Sequence, residues 1–411
     1  MRIMKKLIIF LTIFLIIIFG SILFSLLYAD PESRYYFGTS IGLKDKPVLT
    51  DKNFLIKEVV VGIQSSTALT FIDNDILFLE KETGKVRHIQ NNKLLSESVW
   101  DFKVKKEGCE CYTESGLLGI TSINSEVYIF VTEEQNSDES KFENRIYKFE
   151  WNNNKLENQS LVNILPGYGE MHHGGAMVAD LNSNIFAVIG DQHTPGKLQN
   201  LENEILSDIG MILRVGIDPK IKSPFLSANP NEHYYGIGIR NSFGMAVDPL
   251  TNNLWITENG THEFDEINLT FPKYNSGWTK ILGPASTEDM ENFVSYSDYE
   301  YSDPEFSWEK TIAPTGISFV DNKWKSYENN LFVGDCSGNF YRFHLNDHRN
   351  GLIFNESDLQ DLVFNEGDDN SEIIFGKNFG CITDIEYNPN DGYLYVISYL
   401  NNGAIYKIIP K

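Results

Sequence analysis

An all-β chain, folded as a six-bladed β-propeller behind an N-terminal transmembrane helix, is the architecture this 411-residue sequence implies. Three observations lead there. Residues 7–29 run without a single charge. A short strand–turn unit recurs six times between residues 72 and 398. No Pro- or Ser-rich linker divides residues 50–411.

The chain opens with Arg2, Lys5 and Lys6, and the apolar run follows at once. At ~1.5 Å per residue a helix over that run spans a hydrocarbon core of ~30 Å. The positive flank keeps the N-terminus cytoplasmic and sends the rest outward. A cleaved signal peptide has an apolar stretch of about 7–15 residues. This run is longer, which favours an uncleaved anchor, with the propeller on the outer face; cleavage would release it instead. Residues 1–29 are therefore read as anchor or signal segment. Residues 30–54 are a linker and lead-in, and residues 55–411 are the propeller.

Composition narrows the class. Hydrophobic residues make up 42% and aromatics 13%, enough to bury a large core and to exclude disorder as the main state. The formal charge is −23. Without the first 29 residues the 34 basic side chains fall to 31 while all 57 acidic ones stay, giving −26. A nucleic-acid partner needs clustered cations and is excluded. An acidic outer domain is well solvated, is repelled by anionic membrane surfaces and recruits cations.

The repeat reads as a polar turn feeding a strand with period-two patterning. Its six copies are IDNDILFLE (72–80), INSEVYIFV (123–131), LNSNIFAVIG (181–190), LTNNLWITE (250–258), YENNLFVGD (327–335) and NDGYLYVIS (390–398). Five are followed by a second strand: GKVRHI (84–89), NRIYKFEW (144–151), GMILRV (210–215), GNFYRFHL (338–345) and GAIYKII (403–409). Hairpins repeated every 50–75 residues or so suit four-stranded blades around a channel. Two stacked β-sandwiches are the alternative. In a propeller, ligands sit over the channel at one face, so polar residues just after the strands become site candidates.

Several loops there are rich in small and polar residues: TESGLLGI (113–120), MHHGGAMVAD (171–180), VIGDQHT (188–194), YGIGIRNSFGMAVDP (235–249), WITENGTHEFDEINL (255–269) and TIAPTGISF (311–319). In this order they resemble the pyrroloquinoline quinone (PQQ)-dependent soluble glucose dehydrogenase, aldose sugar dehydrogenase and sorbosone dehydrogenase family, over about residues 55–410. The resemblance implies a six-bladed propeller that oxidises the C1 hydroxyl of an aldose to a lactone and passes electrons to an external acceptor.

It also implies roles. His172 matches the base of a His–x–Gly–Gly motif, with His173 at the variable position, and a neutral imidazole can accept a proton near pH 7. Gly174 and Gly175 would let a planar ligand approach. Asp191, in a Gly–Asp–Gln turn, would orient that imidazole and stabilise its charged form. Arg240 and Asn241 would reach the quinone carbonyls and the substrate, with Arg240 stabilising a developing oxyanion. The stretch ENGTHEFDEIN (258–268) is similar to a loop holding calcium against PQQ. There, Gly260 and Thr261 would offer carbonyls, Asn259 a polar contact and Asp265 a nearby carboxylate. DEIN also reads as the start of a structural strand. Thr311 would line the cofactor face. Trp308 either stacks on a flat quinone or belongs to the core.

The sequence departs from the pattern where basic residues would grip the PQQ carboxylates. Cys336 or Ser337 stands in place of a Lys, and Cys381 and Thr383 in place of two Arg. Three lost charge-assisted bonds, each worth ~1.5–3 kcal/mol, would weaken PQQ by orders of magnitude. Lys310 and Lys377 are near enough in sequence to substitute. The mapping brings Cys336 and Cys381 together over the channel, which implies a disulfide between them. Cys109 and Cys111 are the only other cysteines. A non-catalytic binding propeller, and a copper or zinc centre built from these cysteines with His172 or His173, stay open beside the enzyme. Nothing in the sequence sets the sugar or the oligomeric state.

Overall fold

The computed structural model describes residues 46–104, 113–135, 138–216, 233–399 and 403–411. Among them, no helix is long and apolar enough to cross a membrane. The apolar run 7–29 lies outside the described residues. Strands dominate, and they fall into six sheets of four to six strands.

Each repeat in the sequence becomes the same piece of structure. The polar turn joins an innermost strand to the second strand of a sheet. In the first sheet Ser66–Ile72 turns at Asp73 and Asn74 into Asp75–Glu80. The corresponding second strands are Glu126–Gln135, Ile185–Ile189, Leu254–Glu258, Asn330–Asp335 and Tyr393–Ser398. Apolar residues crowd these strands because both faces are covered by neighbouring sheets: all five residues of Ile185–Ile189 and of Leu254–Glu258 are buried.

The six innermost strands pack side by side in a closed ring. In order they are Ser66–Ile72, Leu117–Ile123, Met177–Ala179, Gly244–Val247, Pro314–Phe319 and Ile382–Asn388, and the last returns to the first. The ring is fastened by Phe54–Val61, which pairs antiparallel with Ala404–Pro410. Val48–Leu49 likewise adds an edge to Ile374–Lys377. Part of the stretch read as lead-in is therefore sheet. Closure leaves few free edges, the strength of a propeller.

Antiparallel pairing also sets the working face. The start of each innermost strand lies beside the end of the second: Met177 pairs with Ala187, Gly244 with Thr257, Pro314 with Asp335 and Ile382 with Ser398. Residues that precede the first strand and follow the second are thus gathered at one rim. Asp265 does not sit in a loop: it belongs to the strand Glu263–Thr270, opposite Trp308. Trp308 is core, 1% exposed and packed on Phe306, Tyr341 and Phe343.

The fourth sheet buries two carboxylates beneath that rim. Glu258 accepts hydrogen bonds from the Arg240 backbone N–H at 2.6 Å and Ser276 Oγ at 2.6 Å. Glu266 accepts from Gly283 N at 2.8 Å and Asn268 Nδ2 at 2.9 Å. Burial, and for Glu258 also the charge of Glu266, push the two up to about 8 and about 7 respectively.

Two outcomes follow from this packing. Trp255 is fully buried between the fourth and fifth sheets, so Trp255→Ala should cost about 3–5 kcal/mol in urea unfolding. Both glutamates titrate higher folded than unfolded. Their contribution is full below the ordinary value of 4.5 and is lost as pH rises through about 7 and about 8. The thermal midpoint should fall across that window, and Glu258→Gln should flatten the fall.

Candidate active site

His172 precedes the third sheet's innermost strand and sits at φ 58°, a left-handed conformation uncommon for histidine. Two carboxylates and a close backbone approach hold it there. Its N–H donates to Glu114 Oε2 at 2.5 Å. Its carbonyl lies against Gly190, where any side chain would collide with it and with the Arg240 carbonyl. Its Nδ1 lies 2.7 Å from Asp191 Oδ1. The imidazole is 2% exposed and the carboxylate residue 4%.

Asp191 is the hub. Besides His172, Oδ1 accepts from the His193 N–H at 2.9 Å, and Oδ2 accepts from Trp278 Nε1 at 2.8 Å. The Asp191 N–H donates to the Arg240 carbonyl at 2.8 Å. Burial alone would raise this carboxyl. The hydrogen bond from His172, the His193 N–H and the Arg240 charge outweigh it and hold Asp191 below its ordinary range. It is therefore ionised at neutral pH. Against it, His172 carries its proton on Nδ1 and leaves Nε2 as the acceptor. That nitrogen meets a second imidazole, His193 Nε2, at 3.1 Å.

Arg240 and Asn241 precede the fourth sheet's innermost strand. Asn241 Nδ2 donates to Glu114 Oε2 at 3.1 Å, which joins it to the His172 backbone. Arg240 is 5% exposed and lies over the Trp278 ring at 5.6 Å. Its Nη1 donates to the carbonyls of Asn259 at 2.8 Å and Gly260 at 2.6 Å. The resemblance assigned the Gly260 carbonyl to calcium; here a guanidinium holds it. Asp265 is equally committed. Oδ1 accepts from Gly260 N at 2.8 Å, and Oδ2 from Ile312 N at 2.5 Å and Ala313 N at 2.7 Å. Burial pushes Asp265 up to about 6 against those three bonds and the Arg240 charge. Thr261 Oγ1 meets its neighbour His262 at 3.0 Å, and Thr311 is half-buried beside Ile312.

Other expectations are corrected. Gly174 and Gly175 do not clear room for a ligand. A side chain at Gly174 would press on the Val188 carbonyl and Gly190, and one at Gly175 on Leu118, so they seat the His172 turn on its own second strand and on the second sheet's innermost strand. His173 is fully buried and turns to Asn144, whose Nδ2 lies 3.0 Å from its Nδ1. Cys336 and Cys381 form the disulfide that the resemblance implies, on the rim, and this corrects the metal alternative. Their sulfurs are then unavailable as thiolate ligands, and no group of three His, Cys, Asp or Glu converges as a metal site among the described residues. Cys109 and Cys111 lie outside the described residues. Thr383 Oγ1 is spent on the Ser66 carbonyl at 2.8 Å, and Lys310 and Lys377 are exposed.

Sequence reasoning passed over four residues. Glu114 ties His172 to Asn241, Trp278 braces Asp191, and His193 caps the base. Lys81 supplies a cation on this rim, with Nζ on the Thr113 carbonyl at 2.6 Å and 5.7 Å from the Tyr399 ring. Lys81 carried a signal: it directly follows the first repeat's strand, as Asn259 and Cys336 follow theirs. Asn241 Oδ1 and Asn259 Oδ1 are two of the twelve buried side-chain polar atoms that have no hydrogen-bond partner among the described residues. Two such acceptors beside a base would receive the donors of a ligand.

The chain is 26% identical over 255 residues to aldose sugar dehydrogenase YliI of Escherichia coli, covering 58% of this chain and 60% of that protein. Its fold superposes on the soluble aldose sugar dehydrogenase of Escherichia coli in its apo-form with a TM-score of 0.65 at 21% identity, covering 87% of this chain and all of that one. The PQQ-bound form of aldose sugar dehydrogenase from Streptomyces coelicolor superposes with a TM-score of 0.62 at 18% identity, covering 88% and 99%. These structural likenesses establish a shared fold. The Glucose / Sorbosone dehydrogenase family model matches residues 63–407, and the chain belongs to that family.

Proposed function

We propose that the protein is an aldose dehydrogenase that oxidises the sugar's C1 hydroxyl to a lactone, with electrons passing to an external acceptor. The observation that carries this is the buried His172–Asp191 pair, 2.7 Å apart, which turns Nε2 of the imidazole away from the carboxylate as a proton acceptor. The hydroxyl proton goes to that nitrogen, and Asp191 stabilises the imidazolium that forms. The unpartnered Asn241 Oδ1 and Asn259 Oδ1 suit a polyol, since sugar hydroxyls bring donors to both. Membership of the family supports the reaction class.

A bound quinone, PQQ in this family, would supply the two-electron acceptor for the C1 hydride. The residues fit one end of it only. Near the base a buried guanidinium, Arg240, stands beside the site. At the carboxylate end, positions 336, 337, 381 and 383 offer a disulfide, a serine and a committed threonine, and Lys81 brings a cation to that rim. A tricarboxylate does not fit those four positions as the family grips it. Calcium does not fit either: Gly260 and Asn259 turn their carbonyls to Arg240, and Asp265 spends both oxygens on backbone N–H groups. The disulfide favours a second reading, a sugar-binding propeller that has given up the cofactor. Fluorescence titration with PQQ separates the two, since saturable micromolar binding excludes the second. We place the propeller outside the cytoplasm, held by residues 1–29 or released by their cleavage. A structural disulfide suits that compartment.

In protein incubated with PQQ, His172→Asn should lower kcat for aldose oxidation by about 10²–10⁴-fold without unfolding the chain. Wild-type turnover in His172→Asn would sink the assignment of the base. Turnover should also survive EGTA; loss on chelation with recovery on added calcium would return the Gly260 carbonyl to a metal.

A further inference from the structure

His172 is buried, and both its ring nitrogens are occupied. Nδ1 faces Asp191 at 2.7 Å and Nε2 faces His193 Nε2 at 3.1 Å. A base that takes one proton per turnover must also lose it to water. Asp191 is a poor exit, being buried and already bonded to Trp278 and to the His193 backbone. His193 is exposed to solvent while its ring centroid lies 4.0 Å from that of His172, the planes crossed at 76°. It is the described side chain that touches both the base nitrogen and bulk water.

The turn that delivers it is built for the purpose. Gln192 and His193 both stand at φ 51°, and Thr194 N closes onto the Asp191 carbonyl at 2.9 Å. Two successive left-handed residues normally call for Asn and Gly, so a glutamine and a histidine there carry a conformational cost. The His193 N–H, bonded to Asp191 Oδ1, fixes the second imidazole to the carboxylate that orients the first.

We infer that His193 is a proton relay, which caps His172 Nε2 at rest and carries the substrate proton to solvent after each oxidation. The inference rests on the dehydrogenase reading for the origin of that proton. At rest His193 Nε2–H donates to the His172 Nε2 lone pair. A single lone pair cannot serve two donors, so His193 swings into solvent when a sugar hydroxyl arrives, and its tautomers exchange there through water. The hydroxyl O–H bond breaks and the proton binds His172 Nε2; a bound quinone would take up the C1 hydride. Once the product departs, His193 returns with its proton on Nδ1 and a lone pair on Nε2. It takes the His172 proton at Nε2 and gives up its Nδ1 proton to water, which restores the resting pair with no net change in either imidazole.

The test compares wild type with His193→Gln, which keeps a donor but cannot relay, using full-length protein incubated with PQQ and an aldose. His193→Gln should lower kcat at least tenfold with KM within about threefold. Added imidazole should restore the rate in proportion to its concentration and leave wild type unaffected. A variant that turns over at the wild-type rate, or a loss that imidazole does not repair, overturns the relay. A second readout needs no turnover. In cofactor-free protein, imidazole ¹⁵N NMR should show protonation and deprotonation of His172 Nε2 slowed at least tenfold by His193→Gln. Unchanged exchange overturns the relay whether or not sugars are oxidised. Slowed exchange in a protein whose wild type reduces no quinone would leave the relay standing and sink the dehydrogenase reading instead.

Discussion

The Asp191 carboxylate receives three donors from three different stretches of chain. His172 Nδ1 comes from the lead-in to the third sheet, the His193 N–H from the turn behind it, and Trp278 Nε1 from beyond the fourth sheet's third strand. A buried carboxylate is costly unless such bonds satisfy it, and once satisfied it fixes whatever donates to it. Here it fixes the tautomer of one imidazole, the backbone of another and the plane of an indole. The Arg240 carbonyl holds the Asp191 N–H from the other side, so the hub also pins the start of the fourth sheet. Remove the charge on Asp191 and all four lose their common reference.

This hub is possible because the ring brings distant segments to one rim. His172 and Asp191 are 19 residues apart, while Glu114 reaches the His172 N–H across 58 residues and Asn241 Nδ2 across 127. The two Glu114 bonds cross from one sheet to another. Neither would form locally in an unfolded chain, so the site comes into being only with closure of the propeller. Rigidity at His172, Asp191 and Asn241 follows from the same fact, because these residues flank packed strand ends.

How much of this could be read beforehand depended on whether a property was local. The repeat was local: a polar turn feeding an alternating apolar strand occurs in each copy, so the all-β propeller and the second and third strands were legible from 72–80 onward. The fourth copy hid its third strand, because Glu263–Thr270 carries Asp265, Glu266 and Asn268 and looks like a polar loop. Those side chains are buried and bonded beneath the rim, which no periodicity announces. His172, Asp191 and Asn241 were legible through motif resemblance. Glu114, Trp278 and His193 were not, since their roles lie in contacts across the ring. Gly174 and Gly175 were misjudged for a related reason: a glycine marks a close approach without saying whether backbone or ligand makes it.

Arg240 shows why a motif residue can be present and yet differently employed. Its guanidinium is near enough to lower the carboxyls of Asp191, Glu258 and Asp265 together. In a chain carrying a formal charge of −23, one buried cation therefore answers three buried acids. Its Nη1 also closes the carbonyls of Asn259 and Gly260. A divalent ion in the same place would meet those carbonyls only by displacing the guanidinium from them. The guanidinium thus stabilises the floor of the site before any ligand arrives. What it offers a bound sugar or quinone is the field of a fixed positive charge beside the base, and that field costs no rearrangement at the moment of reaction.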